Sequence, residues 1–236
     1  FQKKDPIQER VNSIKKQYNK MIWDARSIGA NVAADNLQHF LNGSGSTRVL
    51  SAEWLRDFSS ISGGEDRVKG YFTDKNVPNW AAGMKDGQTI TKSDYWNADI
   101  TNYNPFSELS YASGASKITA NGTFNLSKKG DNISVTGNVT MNWNDPYDWH
   151  AGLSFYIPGS GNISDEDALF IQQHGGAKPF EMKSAWNYTF SGTYNSKTGE
   201  WSDIKWTYNG QVAPSSTTSS TTQVTQTSSS MRDNRR

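Results

Sequence analysis

The stretch Ser116–Ser127, "SKITANGTFNLS", alternates without a break: Ile118, Ala120, Gly122, Phe124 and Leu126 are apolar or small, and the residues between them are polar. A period of two fits a strand with one buried and one wet face and does not fit a helix. The run "NISVTGNVTMNWN" repeats the pattern at Ile133, Val135, Gly137, Val139, Met141 and Trp143, and "KKGD" lies between the two. A turn signal flanked by alternating runs predicts a hairpin. A second hairpin follows from Trp186, Tyr188, Phe190 and Tyr194, the turn "NSKTGE", and Ile204, Trp206 and Tyr208. Residues 113–212 are therefore expected to form an antiparallel β domain.

One helix interrupts that domain. Ser164 followed by Asp167 has capping-box spacing, Ala168, Leu169 and Ile171 form an apolar side, and Gly175 ends the run. His174 falls in the last turn, where a cation suits the helix dipole. The front of the chain has the other period. After Pro6, apolar residues recur at Ile7, Val11, Ile14, Tyr18, Met21, Ile22 and Ala25, the spacing of an amphipathic helix. A second run closes on Gly43, and "SAEWLRDF" opens with the N-cap candidate Ser51. His39 reads as a packed helical side chain. Residues 1–60 are thus expected to be helical and 61–112 an irregular connection with short helices and at most one strand. The Ser/Thr-rich stretch 213–236 is too polar to bury anything and is expected to be a disordered tail. The fold class is α+β, with helices packed on a twisted antiparallel sheet or an open β-barrel-like unit.

Composition sets the outer limits. Lys and Arg number 24 against 23 Asp and Glu, so no basic face argues for nucleic acid. Only 34% of residues are hydrophobic, yet nine are Trp, so burial must depend on large rings. With no Cys, the chain has no disulfides, metal thiolates or thiol nucleophiles. No run of eighteen apolar residues occurs, and the start lacks both an initiator Met and a signal-peptide core, which reads as a processed product or a fragment.

The densest chemistry is "NWNDPYDWHAG", residues 142–152. Trp143 is read as the last inward position, with Asp145, Tyr147, Asp148 and His150 emerging on a loop bent by Pro146. Asp145 and Asp148 could then hold a Mg²⁺ ion or divide into a base and an electrostatic partner. Tyr147 could donate to a developing oxyanion, and His150 titrates near neutrality. The same letters also make an ordinary Asp-Pro turn closing the core.

The spacing D-x-Y-D at Asp145, Tyr147 and Asp148, after a Gly-punctuated hairpin and a helical front half, resembles colicin M and related lipid-II-degrading bacteriocins. The resemblance covers residues 115–155. It implies an α+β unit with an open β-barrel-like active domain. It also implies Mg²⁺-dependent cleavage of the undecaprenyl-pyrophosphoryl link of lipid II in the target's periplasm. The family's His-Arg pair, six residues after the motif, is replaced here by Ser154 and Phe155, and His150 stands too close to substitute. Lys178 in "GGAKPF" is the candidate for the missing cation, with Lys183 behind it, and Trp149 and Lys178 are candidates for substrate contact. "LQHFLNGSG", "DPYDWHAG" and "GGAKPF" together also resemble C-terminal toxin domains of secreted bacterial effectors.

The leading expectation is an antibacterial toxin domain, secreted by its producer, that hydrolyses a lipid-linked peptidoglycan precursor at the membrane surface and requires an immunity partner. Two others stay open. A carbohydrate- or envelope-binding module would use Trp143, Trp149, Trp186, Trp201 and Trp206; of these Trp149 and Trp201 fall out of phase and are expected to be exposed. A membrane-perturbing toxin would use the N-terminal helix, whose apolar stripe is narrow.

Overall fold

The computed structural model describes residues 3–101, 103–148, 154–157 and 161–216. Helix α1 (Pro6–Ser27) starts at Asp5, whose carboxylate accepts from the Ile7 amide. Its buried stripe is Val11, Ile14, Tyr18, Met21, Ile22 and Ala25, as the spacing predicts. Helix α2 (Asn31–Asn42) ends on Gly43 at φ 70°, and β1 (Arg48–Val49) follows. Helix α3 (Ala52–Arg56) is capped by Ser51, which accepts from the Trp54 amide.

The segment expected to be irregular with short helices and at most one strand does hold helices and one strand, and their length is what the sequence did not show. Helix α4 (Ser59–Tyr71) runs into a π-helical turn, Phe72–Asn76, then α5 (Val77–Ala82) and the twelve-residue strand β2 (Thr89–Ile100). Two signals hid it. Gly63 and Gly64 look like helix breakers, yet a Cβ on Gly64 would run into the Ile100 and Ile118 side chains, so the glycine is what lets α4 lie close to the sheet. In β2 the inward phase includes Lys92 and Asp94, which masks the alternation; Asn76 donates to Asp94 at 2.7 Å.

After α6 (Glu108–Ala112) come the two hairpins: β3 (Ser116–Lys129) with β4 (Asn132–Tyr147), and β7 (Phe180–Asn195) with β8 (Trp201–Val212). Between them lie β5 (Ser154–Ile157), β6 (Gly161–Ser164) and α7 (Asp165–His174), the last capped by Ser164. In the main sheet the order is β1-β7-β4-β3-β2, with β8 also on β7, and β5 and β6 form a separate pair. Strand β1 runs parallel to β7 while the other pairings are antiparallel, so the sheet is mixed. It does not close: β2 forms one edge, and β1 and β8 share the other.

Helices cover one face only. Trp143, Trp186, Phe124 and Phe72 are among its largest fully buried side chains. Each ring removes roughly 150–250 Å² from water, on the order of 4 kcal/mol at about 25 cal/mol per Å² and an upper bound. Gly122 and Gly137 make room for Phe124; a Cβ on Gly122 would meet Phe72 at 2.8 Å. Trp201 does not point outward as its phase suggests. A register shift between Ser191 and Thr193 brings it opposite Tyr194, and its indole donates to the Thr73 carbonyl at 3.1 Å. The opposite sheet face carries Ser, Thr and Asn ladders.

Candidate functional site

Strand β4 does not end at Trp143. Its pairing with β7 runs on to Tyr147 opposite Phe180, whereas its pairing with β3 stops at Asn144 opposite Lys117. From Asp145 onward one side of β4 is free of a strand neighbour, a place where Pro146 breaks no ladder on that side. Asp145 and Tyr147 keep the inward phase of Trp143 and are 2% and 6% exposed, while Asp148, just past the strand, is exposed. The open acidic loop expected here is thus a strand end with one carboxylate inside and one outside.

Asp145 fills the position that β3 leaves. Its Oδ2 accepts from the Ser113 hydroxyl at 2.5 Å and the Gly114 amide at 2.9 Å, so the side chain caps the turn between α6 and β3. Without it the Gly114 N–H would need another acceptor. Among the described residues Oδ1 accepts no hydrogen bond, and no Lys or Arg lies within ion-pair distance. Burial pushes the carboxyl up to about 6; the Ser113 and Gly114 donors oppose this, and Asp148 and Glu181 add to it. Desolvation outweighs two good hydrogen bonds because neither donor carries a full charge.

Tyr147 stacks on Phe180 at 4.7 Å, with Phe40 at 6.1 Å, and burial pushes its phenol well above the usual range. Such a phenol stays protonated and can act only as a donor or as packing. Among the described residues the cation coupled to Tyr147 is Arg48. Arg48 donates to Asn36, lies 3.9 Å from Asp35, and interacts electrostatically with Tyr147; burial lowers its pKa. Lys178 is exposed, its stem lies against the place a Gly45 Cβ would occupy, and its amide donates to the Phe40 carbonyl at 3.1 Å. Lys183 is on the other face of the sheet, opposite Asn144. Trp149 and His150 lie outside the described residues.

Four further residues, Ser113, Tyr18, Tyr103 and Ser116, complete this end of the core without any signal in the motif. Ser113 holds Asp145. Tyr18, fully buried on α1, has a hydroxyl with no hydrogen-bond partner among the described residues; burial and the nearby Asp167, Tyr147 and Asp165 push it far up. Tyr103 and Trp143 both reach Ser116, at 2.8 and 2.9 Å. His39 is packed edge-on to Phe180 at 4.5 Å with Nε2 2.8 Å from the Ser46 carbonyl, and His174 packs on Phe170 at 4.7 Å, so both serve the structure.

A Mg²⁺ ion shared by Asp145 and Asp148 needs both carboxylates on one open space. Asp145 is buried and Asp148 exposed, and no group of three His, Asp or Glu able to hold a metal occurs among the described residues. The chain matches no protein family, no curated protein and no solved structure.

Proposed function

We propose that this chain is a hydrolytic antibacterial toxin domain that cleaves the lipid-pyrophosphate link of a peptidoglycan precursor such as lipid II, with Asp145 moving the proton. The observation that carries the reading is a carboxyl 2% exposed, without a cationic partner among the described residues, and pushed up to about 6. Carboxyls tuned toward neutrality by burial are typical of general acid–base work. The D-x-Y-D resemblance supplies the substrate class.

In this reading Asp145 takes a proton from the water that attacks phosphorus. As the bond from phosphorus to the lipid oxygen breaks, the carboxyl returns the proton to that oxygen, and it ends ionised as it began. Ser113 and Gly114 hold Oδ2, so Oδ1 handles the proton. Tyr147 and Arg48 supply a donor and a positive charge for the phosphate oxygens. No step is routed through Mg²⁺. The proposal extends to secretion, action in the periplasm of a target bacterium, and an immunity protein.

A tryptophan sugar platform and a membrane-perturbing helix lose support. Trp143, Trp186, Trp201 and Trp206 all turn to the helical side of the sheet, so these four rings make no sugar platform. The apolar stripe of α1 is spent in the core, and no described helix is long and apolar enough to cross a membrane.

Periplasmic expression in a susceptible bacterium, with lipid-linked precursors assayed, tests the proposal. The wild type should deplete the precursor, while Asp145→Asn and Asp148→Ala should not. Full toxicity of folded Asp145→Asn rules out the proton-transfer role.

A further inference from the structure

On the sheet face away from the helices lies a cleft of about 650 Å³, within the usual range for a small-molecule site. It is lined by Tyr95, Asn121, Asn142, Asn144, Glu181 and Lys183, with Thr47 and Pro214 at its rim. These residues come from four adjacent strands, because β2, β3, β4 and β7 each send alternate side chains outward here.

Inside the cleft some polar groups are paired, Thr119 donating to Asn97 at 2.7 Å, and others are not. Elsewhere on this face, hydroxyls and amides satisfy one another across strands: Thr89 with Ser127 at 2.9 Å, Thr91 with Asn125 at 2.7 Å, Ser93 with Thr123 at 2.8 Å and Thr140 with Asn187 at 2.8 Å. Within the cleft, the Asn121 amide makes no hydrogen bond among the described residues, and Lys183 forms no ion pair there. Among the described residues Asn142 uses only its oxygen, accepting from the Ser215 amide at 3.4 Å. Asn144 donates to the Glu181 carboxylate and, at 3.5 Å, to the Met182 carbonyl.

We infer that this cleft binds a neutral, hydroxyl-rich saccharide, on the sheet face opposite Asp145 and separate from it. Carboxamides present a donor and an acceptor side by side, which matches a sugar hydroxyl that does both. The charges favour no anion, since Glu181 offsets Lys183, and the carboxamides of Asn121, Asn142 and Asn144 outnumber the charged groups. Tyr95 supplies one ring for a sugar face.

Titration of the full chain by NMR with cellobiose, N,N′-diacetylchitobiose and, separately, inorganic pyrophosphate tests this. At least one disaccharide should bind saturably, shifting resonances of Asn121 and Asn142. The double variant Asn121→Ala/Asn142→Ala should bind it at least tenfold more weakly, while Asp145→Asn should bind like wild type. Absence of saturable binding by both disaccharides, binding of pyrophosphate alone, or an unchanged affinity in the double variant overturns the inference. Saccharide binding with no precursor hydrolysis would remove the proposed catalysis and leave this site standing.

Discussion

Replacing Asp145 by Asn keeps the shape and an acceptor oxygen for Ser113 and Gly114, and removes the charge. In the folded protein burial raises this carboxyl from an ordinary 3.8 to about 6. The folded state therefore binds the proton more tightly than the unfolded chain does. The stabilisation from Asp145 is fully present below pH 3.8 and is lost as pH rises through about 6. At about 1.4 kcal/mol per pH unit, the span corresponds to about 3 kcal/mol. Asp145→Asn escapes this loss. At pH 7.5 it should be more stable than wild type by up to about 3 kcal/mol, or about 6–12 °C in Tm for a chain of this size. At pH 4 the two should nearly coincide. Thermal unfolding by circular dichroism at both pH values reads the effect. A variant less stable than wild type by the same margin at both would show that the two donors, not burial, govern this carboxyl. More stability with lost hydrolysis is the pattern expected of a group placed for chemistry.

Other expectations follow from the same packing. Glu65, 3% exposed, accepts from Arg56 at 3.3 Å and from the Trp186 indole at 2.9 Å; Glu65→Ala should cost about 3–5 kcal/mol by denaturant unfolding, because Arg56 then loses its partner. Gly64→Ala should cost about 1–3 kcal/mol and lower the Tm by several degrees, since Ile100 and Ile118 fill the space. Asp145→Ala, unlike Asp145→Asn, should destabilise by about 1–3 kcal/mol at pH 4, where only the lost acceptor for Gly114 and Ser113 is felt. Arg48→Met should reduce precursor hydrolysis while circular dichroism shows the fold retained.

Both hairpins and the main helices could be read from residue spacing because their buried faces are almost purely apolar: Ile133 to Trp143 in one phase, Val11 to Ala25 in the other. The extents of strand β2 and helix α4 escaped because packing demanded residues that local propensity disfavours, Gly64 under Ile100 and Asp94 beside Asn76. The candidate site was half legible. The letters Asp145, Tyr147 and Asp148 stood out, but a polar residue followed by Pro146 looked like the end of a strand. What carried β4 onward was its partner, Phe180 opposite Tyr147, and no local pattern records a pairing so distant in the chain. Arg48 and Ser113 were invisible for the same reason: each reaches this end of the core only through tertiary contacts.

The most direct measurement is the titration of the Asp145 carboxyl carbon by NMR in the full-length protein, assigned with Asp145→Asn. A midpoint near 6 is expected. A midpoint at or below 3.8 would mean that Ser113 and Gly114 hold a settled carboxylate, and Asp145 would then be a turn cap with no part in proton transfer.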